Sequence, residues 1–143
     1  MSPPLQIYHT TAAHDLGKLV LRLGLGVLIL LHGIAKIQGG LGGVEGMLTA
    51  RGLPVELALG AYVGEVLAPA LIIIGIFTRL GGALIAINML FAVGLAHMGQ
   101  ITALTPQGGW ALELQGMFFI AALAVTLLGA GRFSLGGAHG TLN

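Results

Sequence analysis

The sequence predicts an all-α integral membrane protein: a bundle of four transmembrane helices, with a short interfacial helix between helices 1 and 2. Three observations support this prediction. Only 8% of the 143 residues are charged and 56% are hydrophobic, whereas a soluble domain carries roughly 25% charged residues. The apolar residues form four continuous blocks, each close to the roughly 20 residues that cross a bilayer. The chain also has no cysteine, which excludes disulfides and thiolate metal sites from it.

The four blocks place the membrane helices within one domain, residues 16–135. We predict helices at about residues 16–37, 55–77, 78–98 and 110–131. Continuous apolar blocks, unlike alternating ones, are not typical of transmembrane strands. Residues 1–15 and 136–143 are expected to be short tails. Because no small-residue cleavage site follows the first block, we interpret it as an uncleaved anchor rather than a signal peptide.

The connections between the blocks differ in length. The turn between blocks 2 and 3 is very short, so these helices should be antiparallel neighbours. The first loop, residues 38–54, repeats its apolar and basic residues at helical spacing: Val44, Met47, Leu48 and Arg51. This spacing predicts a short helix lying on the membrane surface.

The distribution of Lys and Arg predicts the orientation in the membrane. With four spans, one side holds four of these residues: Lys18, Arg22, Arg79 and Arg132. The other side holds Lys36 and Arg51. We therefore predict a multi-pass membrane protein with both termini in the cytoplasm. The formal net charge of +1 also speaks against a nucleic-acid partner, since it provides no basic surface.

Ionisable residues within the spans are the candidate functional groups, because each costs roughly 2.5–3.5 kcal/mol to insert. His32 and Lys36 share a helix face with Arg22. Glu65 lies near the middle of helix 2, and Pro69 removes the hydrogen bond to its carbonyl. The alternative stays open that Lys36 only reaches the interface and that Glu65, protonated or paired with Arg22, only joins helices.

Depth counting at 1.5 Å per residue brings several of these groups into the outer half of the bundle. His32 and Glu113 lie roughly 8 and 10 Å outside the midplane, with Glu65 near zero. His97 and Lys36 lie at about 13–14 Å. The depths predict one pocket opening toward the outer leaflet, with Lys36 at its rim and Glu65 at its floor. The candidate catalytic, proton-transferring residues are Glu65, His32, His97 and Glu113.

Lys36 and Arg22 are candidate ligand-binding residues of this pocket. Two polar residues of the spans fall outside the predicted pocket face: Asn88, expected to bond another neighbouring helix, and Gln115. Imidazole and carboxyl groups could pass protons to a reducible headgroup such as a quinone. Axial haem ligation by two histidines is an alternative, against which a height difference of about 5 Å speaks. A zinc site of His32, His97 and Glu113 is another, but no local motif supports it and we predict no metal.

The arrangement of these residues resembles the DoxX family. The resemblance covers about residues 18–135 and rests on these stretches: Arg22-Leu23-Gly24, Leu31 to Lys36, Gly39-Gly40, Gly52-Leu53-Pro54, Glu65, Gly75 to Leu80, Asn88-Met89, His97, Glu113 and Gly131 to Leu135. It implies a four-helix inner-membrane protein described as an oxidoreductase or quinol-oxidase subunit. Some relatives look like membrane subunits of a thiosulfate:quinone oxidoreductase.

Three functional hypotheses follow. The first is a redox-linked membrane subunit whose pocket binds a quinone-like or other small ligand, with a soluble or membrane oxidoreductase as partner. The second is a non-catalytic assembly subunit that uses the polar cluster to lock its helices, and the third is a small solute or proton carrier. The lipid bilayer is a partner in each, and a homo-oligomer stays open. A weak duplication, Arg22-Leu23-Gly24 against Arg79-Leu80-Gly81, further suggests two parallel helical hairpins.

Overall fold

The computed structural model of the protein describes residues 5–137 and 142–143. Over these residues the chain is helical and has no β-strand, apart from one isolated bridge between Leu104 and Trp110. The described helices are α1 (Leu5–Gly39), α2 (Gly42–Thr49), α3 (Val55–Ile74), α4 (Thr78–Gln100) and α5 (Glu113–Leu128). The predicted all-α class is confirmed.

Three of these helices are long and apolar enough to cross a membrane: residues 12–39 of α1, together with α3 and α4. Helix α5 is apolar but has only 16 residues, which is about 24 Å of helix. The fourth predicted helix, residues 110–131, is therefore too long at both ends. Its first residues belong to the preceding loop, and Gly129 and Gly131 end it with positive φ angles.

The predicted N-terminal tail, residues 1–15, is helical where the structure describes it, because α1 begins at Leu5. Residues 1–4 of that tail lie outside the described residues. Asp15 is buried, and its carboxylate accepts a hydrogen bond of 2.7 Å from Arg132 Nε. This bond joins residues that are 117 positions apart along the sequence, so no local pattern predicts it.

The predicted C-terminal tail, residues 136–143, also makes contacts where it is described. The amide of Gly136 donates to the carbonyl of Gly75 (2.9 Å), and the amide of Arg79 donates to the carbonyl of Leu142 (3.0 Å). Asn143 Oδ1 accepts from the hydroxyl of Thr78. Residues 138–141 lie outside the described residues. The segment thus binds the turn between α3 and α4.

Helices α4 and α5 pack antiparallel. Arg79, at the start of α4, binds the carbonyls of Thr126 and Leu127 at the end of α5, whereas His97 near the end of α4 meets Gln115 at the start of α5. We call the first end of the bundle the basic end; it holds Arg22, Arg79, Arg132 and the α3–α4 turn. The other, which carries α2 and the loop before α5, is called the loop end.

Two arginines repeat the same contact in the two halves of the chain. Arg22 of α1 donates to the carbonyls of Ile72 and Ile73 at the end of α3. Arg79 of α4 does the same for the last turn of α5. Because the final carbonyls of a helix have no partner within it, each arginine satisfies orphan acceptors. The duplication predicted from the two Arg-Leu-Gly stretches thus has a structural counterpart.

The short helix α2 follows the prediction for the first loop. Its Leu48 is fully buried, in a cluster with Leu41, Ala58, Ala61 and Leu95. Arg51, just after the helix, donates to the carbonyl of Gly94 in α4. Helix α2 is therefore fixed onto α3 and α4 at the loop end.

Candidate functional site

The four long helices enclose a cavity of about 170 Å³ in the half of the bundle nearer the loop end. Its lining residues are Ile29, His32 and Lys36 of α1, Glu65 of α3, Met89, Ala92 and His97 of α4, and Leu114, Gln115 and Phe118 of α5. Glu65 and Met89 stand at the centres of α3 and α4, while His97 and Leu114 stand near the ends of their helices. The cavity thus extends from the middle of the bundle toward the loop end.

Glu65 is the buried acid of the cavity, 7% exposed. Its Oε2 lies 2.5 Å from Lys36 Nζ, and its Oε1 accepts a hydrogen bond of 3.3 Å from the amide of Asn88. One carboxyl group therefore links α1, α3 and α4. The sequence alternative of a pair with Arg22 is wrong, since Lys36 takes that place.

A π-helical turn, Val63–Leu67, carries Glu65. Pro69 follows within four residues of Glu65, so it cannot donate to the Glu65 carbonyl, and a proline ring clashes with that carbonyl in a regular helix. A widened turn relieves such a clash. The backbone carbonyl of Glu65 instead faces α1 at Gly33, where a Cβ atom would lie 2.1 Å from the carbonyl oxygen. Only glycine allows this approach.

His97 lies in a second π-helical turn, Val93–His97. Its Nδ1 lies 3.2 Å from Gln100 Oε1, and its Nε2 lies 3.5 Å from Gln115 Nε2. With these partners Nδ1–H donates and Nε2 accepts. His97 thereby joins α4 to α5 where the cavity nears the loop end.

His32 contacts the cavity from α1. Its ring meets Phe118 of α5 edge to face, with 6.0 Å between the ring centroids. In the described part of the chain its ring nitrogens make no hydrogen bond to another residue, and the residue is exposed. Both nitrogens are therefore free to bind a ligand.

Glu113 does not join the cavity, which corrects the sequence prediction. Its carboxylate faces Gly109 in the preceding loop, where a Cβ atom would lie 2.9 Å from Oε2, and the residue is exposed. Gln115, which the sequence analysis placed off the functional face, lines the cavity instead. Its spacing of three from Phe118 puts both on one helix face, and that spacing is the signal that could have identified it.

Arg22 does not line the cavity either, so the structure does not bring it together with the other candidate ligand-binding residue, Lys36. Arg22 is 2% exposed and lies toward the basic end. Besides the two α3 carbonyls, its guanidinium binds the carbonyl of Phe133. These three acceptors occupy both terminal nitrogens, and the residue fastens the C-terminal segment to α3.

The cavity sets limits on what can bind. Among the described residues, no group of three His, Asp or Glu side chains is close enough to hold a metal ion, and Glu113 of the alternative zinc set does not line the cavity. A cavity of about 150 Å³ accepts benzene, so a volume of about 170 Å³ suits one six-membered ring. The lining combines apolar walls with two imidazoles, a carboxyl and an ammonium group, which can transfer protons to a bound ring.

Comparison with known proteins gives a family for the chain. The sequence pattern of the DoxX family matches residues 17–98, which include α3, all but the last two residues of α4, and the cavity residues of α1, α3 and α4. A relative in Bacillus subtilis (strain 168), named "Putative oxidoreductase CatD", is 30% identical over 79 residues, which are 55% of this chain and 58% of that protein. The chain thus spans a little over half the length of that curated relative.

No solved structure matches the chain. Glu113 and the ending Gly131 to Leu135 lie beyond the matched residues, whereas His32, Lys36, Glu65 and His97 lie within them. The match covers more than half of the chain, and the three long apolar helices agree with it. The chain belongs to the DoxX family of membrane proteins.

Proposed function

We propose that this protein is a redox-linked subunit of the bacterial inner membrane whose cavity binds a single-ring, quinone-like headgroup. The observation that carries the proposal is the cavity itself. Four titratable side chains from three helices (His32, Lys36, Glu65 and His97) line a space of about 170 Å³ with apolar walls. The relative named as an oxidoreductase supports redox chemistry over a purely structural role.

The proposal includes four membrane crossings with both termini in the cytoplasm. Although α5 has 16 residues, its ends contact groups at opposite ends of α4, Arg79 and His97. A helix of about 24 Å plus its flanking turns can therefore cross a hydrocarbon layer of roughly 30 Å. Four of the six Lys and Arg residues lie toward the basic end, which favours the cytoplasm for that end.

The chemistry required of the chain is proton transfer. Reduction of a p-quinone adds two electrons and two protons, one proton to each carbonyl oxygen. A partner oxidoreductase supplies the electrons. An imidazole is a general acid and base, so His32 and His97 deliver the protons, and the Lys36–Glu65 pair balances the charge beside the ring.

The test uses the full chain in lipid nanodiscs and 2,3-dimethoxy-5-methyl-p-benzoquinone as the probe. The single tryptophan, Trp110, packs its ring on Gly116 in the first turn of α5, next to the cavity residue Gln115. Binding should quench its fluorescence saturably, and His97→Ala should weaken binding at least fivefold. Arg132→Lys, at the basic end, is the control and should bind like the wild type. Linear, unsaturable quenching would contradict the proposal.

The second candidate is an assembly subunit, which the three-helix contact of Glu65 with Lys36 and Asn88 favours. Glu65→Gln separates the two functions because it keeps the shape and removes titration. A proton role predicts that the variant folds but loses quinone reduction in membranes that hold the native partner. An assembly role predicts either full activity or loss of the folded protein.

A further inference from the structure

The size of the cavity limits how much of a ligand can lie inside it. A volume of about 170 Å³ holds one ring, because a cavity of about 150 Å³ binds benzene. A longer substituent on the ring must therefore leave the cavity. The route by which it leaves decides whether the ligand is a water-soluble molecule or a membrane-dissolved one.

The loop end of the cavity is crossed by polar contacts. His97 bonds both Gln100 and Gln115, and so joins α4 to α5. On the other side Lys36 bonds Glu65 and joins α1 to α3. These contacts narrow the path from the loop end.

Only α1 and α5 contribute exposed residues to the lining of the cavity, which indicates that it opens between them. Of the residues that line the cavity, His32 of α1 and Leu114 of α5 are exposed, Leu114 by 53%. Their neighbours on the outer surface are apolar and more than 50% exposed: Leu28, Leu31 and Met117. The opening thus has apolar edges, as a surface that faces lipid chains requires.

His32 stands at this opening, where its ring contacts Phe118 and, within the described residues, its nitrogens make no hydrogen bond to another side chain or to the backbone. It lies seven residues before the end of α1, which is about 10 Å along the helix. A polar group without a hydrogen bond in hydrocarbon costs free energy. A ligand whose polar head enters the cavity and bonds His32 removes that cost.

We infer that the ligand is a membrane-dissolved amphiphile that enters sideways from the bilayer between α1 and α5. Its ring occupies the cavity, and its apolar tail lies in the opening against Leu28, Leu31, Leu114 and Met117. This inference rests on the proposed function, because it assigns the ligand class of the same cavity. It also assigns His32 as the residue that receives the polar head.

The experiment compares two probes with the same ring, 2,3-dimethoxy-5-methyl-p-benzoquinone with and without a decyl tail. Because the chain has no cysteine, Met117→Cys, exposed beside the opening and not among the cavity-lining residues, can be labelled with a bulky aryl maleimide in detergent before reconstitution into nanodiscs. Leu123→Cys, also exposed on α5 but about 120° around the helix, is the labelled control. We expect the label at residue 117 to weaken binding of the tailed probe at least tenfold and that of the tailless probe less than twofold.

The other outcomes separate this inference from the proposed function. If the tailed probe binds equally well with the label at residue 117, the sideways route is wrong and the ring site stands. Equal loss of both probes places residue 117 in the ring site and also overturns the route. Failure of both probes to bind the unlabelled wild type overturns the proposed function.

Discussion

Lys36 and Glu65 form an ion pair of 2.5 Å between α1 and α3, one helical turn from Gly33, where the backbones of the same two helices come closest. There the Glu65 carbonyl oxygen lies 2.1 Å from the position of a Gly33 Cβ atom. The backbone approach and the ion pair therefore depend on each other. Separating the helices at Gly33 would also separate the charges that line the cavity.

Replacement of Gly33 by alanine should destabilise the protein. The added methyl group overlaps a backbone carbonyl, which cannot rotate away, so α1 and α3 must move apart. Overpacking of this kind costs about 1–3 kcal/mol. The measurement is the thermal midpoint of the detergent-solubilised protein, followed by the loss of monodisperse material in gel filtration.

Gly24→Ala on the same helix is the control for the Gly33 variant. A Cβ atom there meets nothing within 4 Å, and alanine is about 1 kcal/mol better than glycine in a helix. Its midpoint should be unchanged or higher. Equal destabilisation by the two variants would contradict a specific contact between α1 and α3.

The Lys36–Glu65 pair should show coupling in a double-mutant cycle. Lys36→Met leaves the Glu65 carboxyl, 7% exposed, without its cation, and Glu65→Gln leaves the ammonium group without its anion. The double variant leaves neither charge. We expect each single change to cost about 1–3 kcal/mol and the double change to cost less than their sum.

The pair of Asp15 and Arg132 provides the comparison for this cycle. Its distance is similar, 2.7 Å, but the Arg132 side chain is 53% exposed. Solvent screening should hold its coupling below about 1 kcal/mol. A larger coupling there than for Lys36 and Glu65 would argue against a buried pair at the cavity.

Continuous hydrophobicity was enough to predict the helices of this fold, but not their ends. Helix α1 begins at Leu5, and Asp15 within it is bonded by Arg132 from the far end of the chain. Helix α5 starts at Glu113 rather than near Trp110, because Trp110 belongs to a loop in which its indole donates to the Ile101 carbonyl. Both regions make contacts that no local pattern contains.

The cavity was predicted in part, and its errors have a geometric cause. A regular helix turns about 100° per residue, which would place His97 about 80° from Met89. The π-helical turn Val93–His97 adds a residue and brings the two within about 20° on the same face. Regular helix spacing would therefore turn His97 away from the cavity residues of α4. Glu113 and Gln115 lie about 200° apart around α5, a difference in helix face that depth counting does not distinguish.

Arg22→Lys should destabilise the basic end. The guanidinium reaches three carbonyls, those of Ile72, Ile73 and Phe133, and one ammonium group cannot match this planar fork. Since hydrogen bonds to charged groups contribute about 1.5–3 kcal/mol each, we expect a loss of about 2 kcal/mol in the free energy of unfolding in detergent. Protease cleavage of the C-terminal segment should become faster as well. Arg132→Lys changes a half-exposed side chain and should alter both measurements little. Equal effects of the two variants would contradict the role of Arg22 in fastening the C-terminal segment to α3.

The orientation of the bundle can be tested by two single cysteines, because the native chain has none. Thr49, the last residue of α2, is exposed at the loop end, and Leu135 is 81% exposed at the basic end. The excess of Lys and Arg at the basic end predicts that this end stays in the cytoplasm. In intact spheroplasts an impermeant maleimide should label Thr49→Cys at once and Leu135→Cys only after lysis. Labelling in the reverse order would mean that the topology is inverted. Labelling of both variants in intact spheroplasts would mean that the loop end and the basic end lie on the same side of the membrane. The helices would then not cross the membrane as proposed.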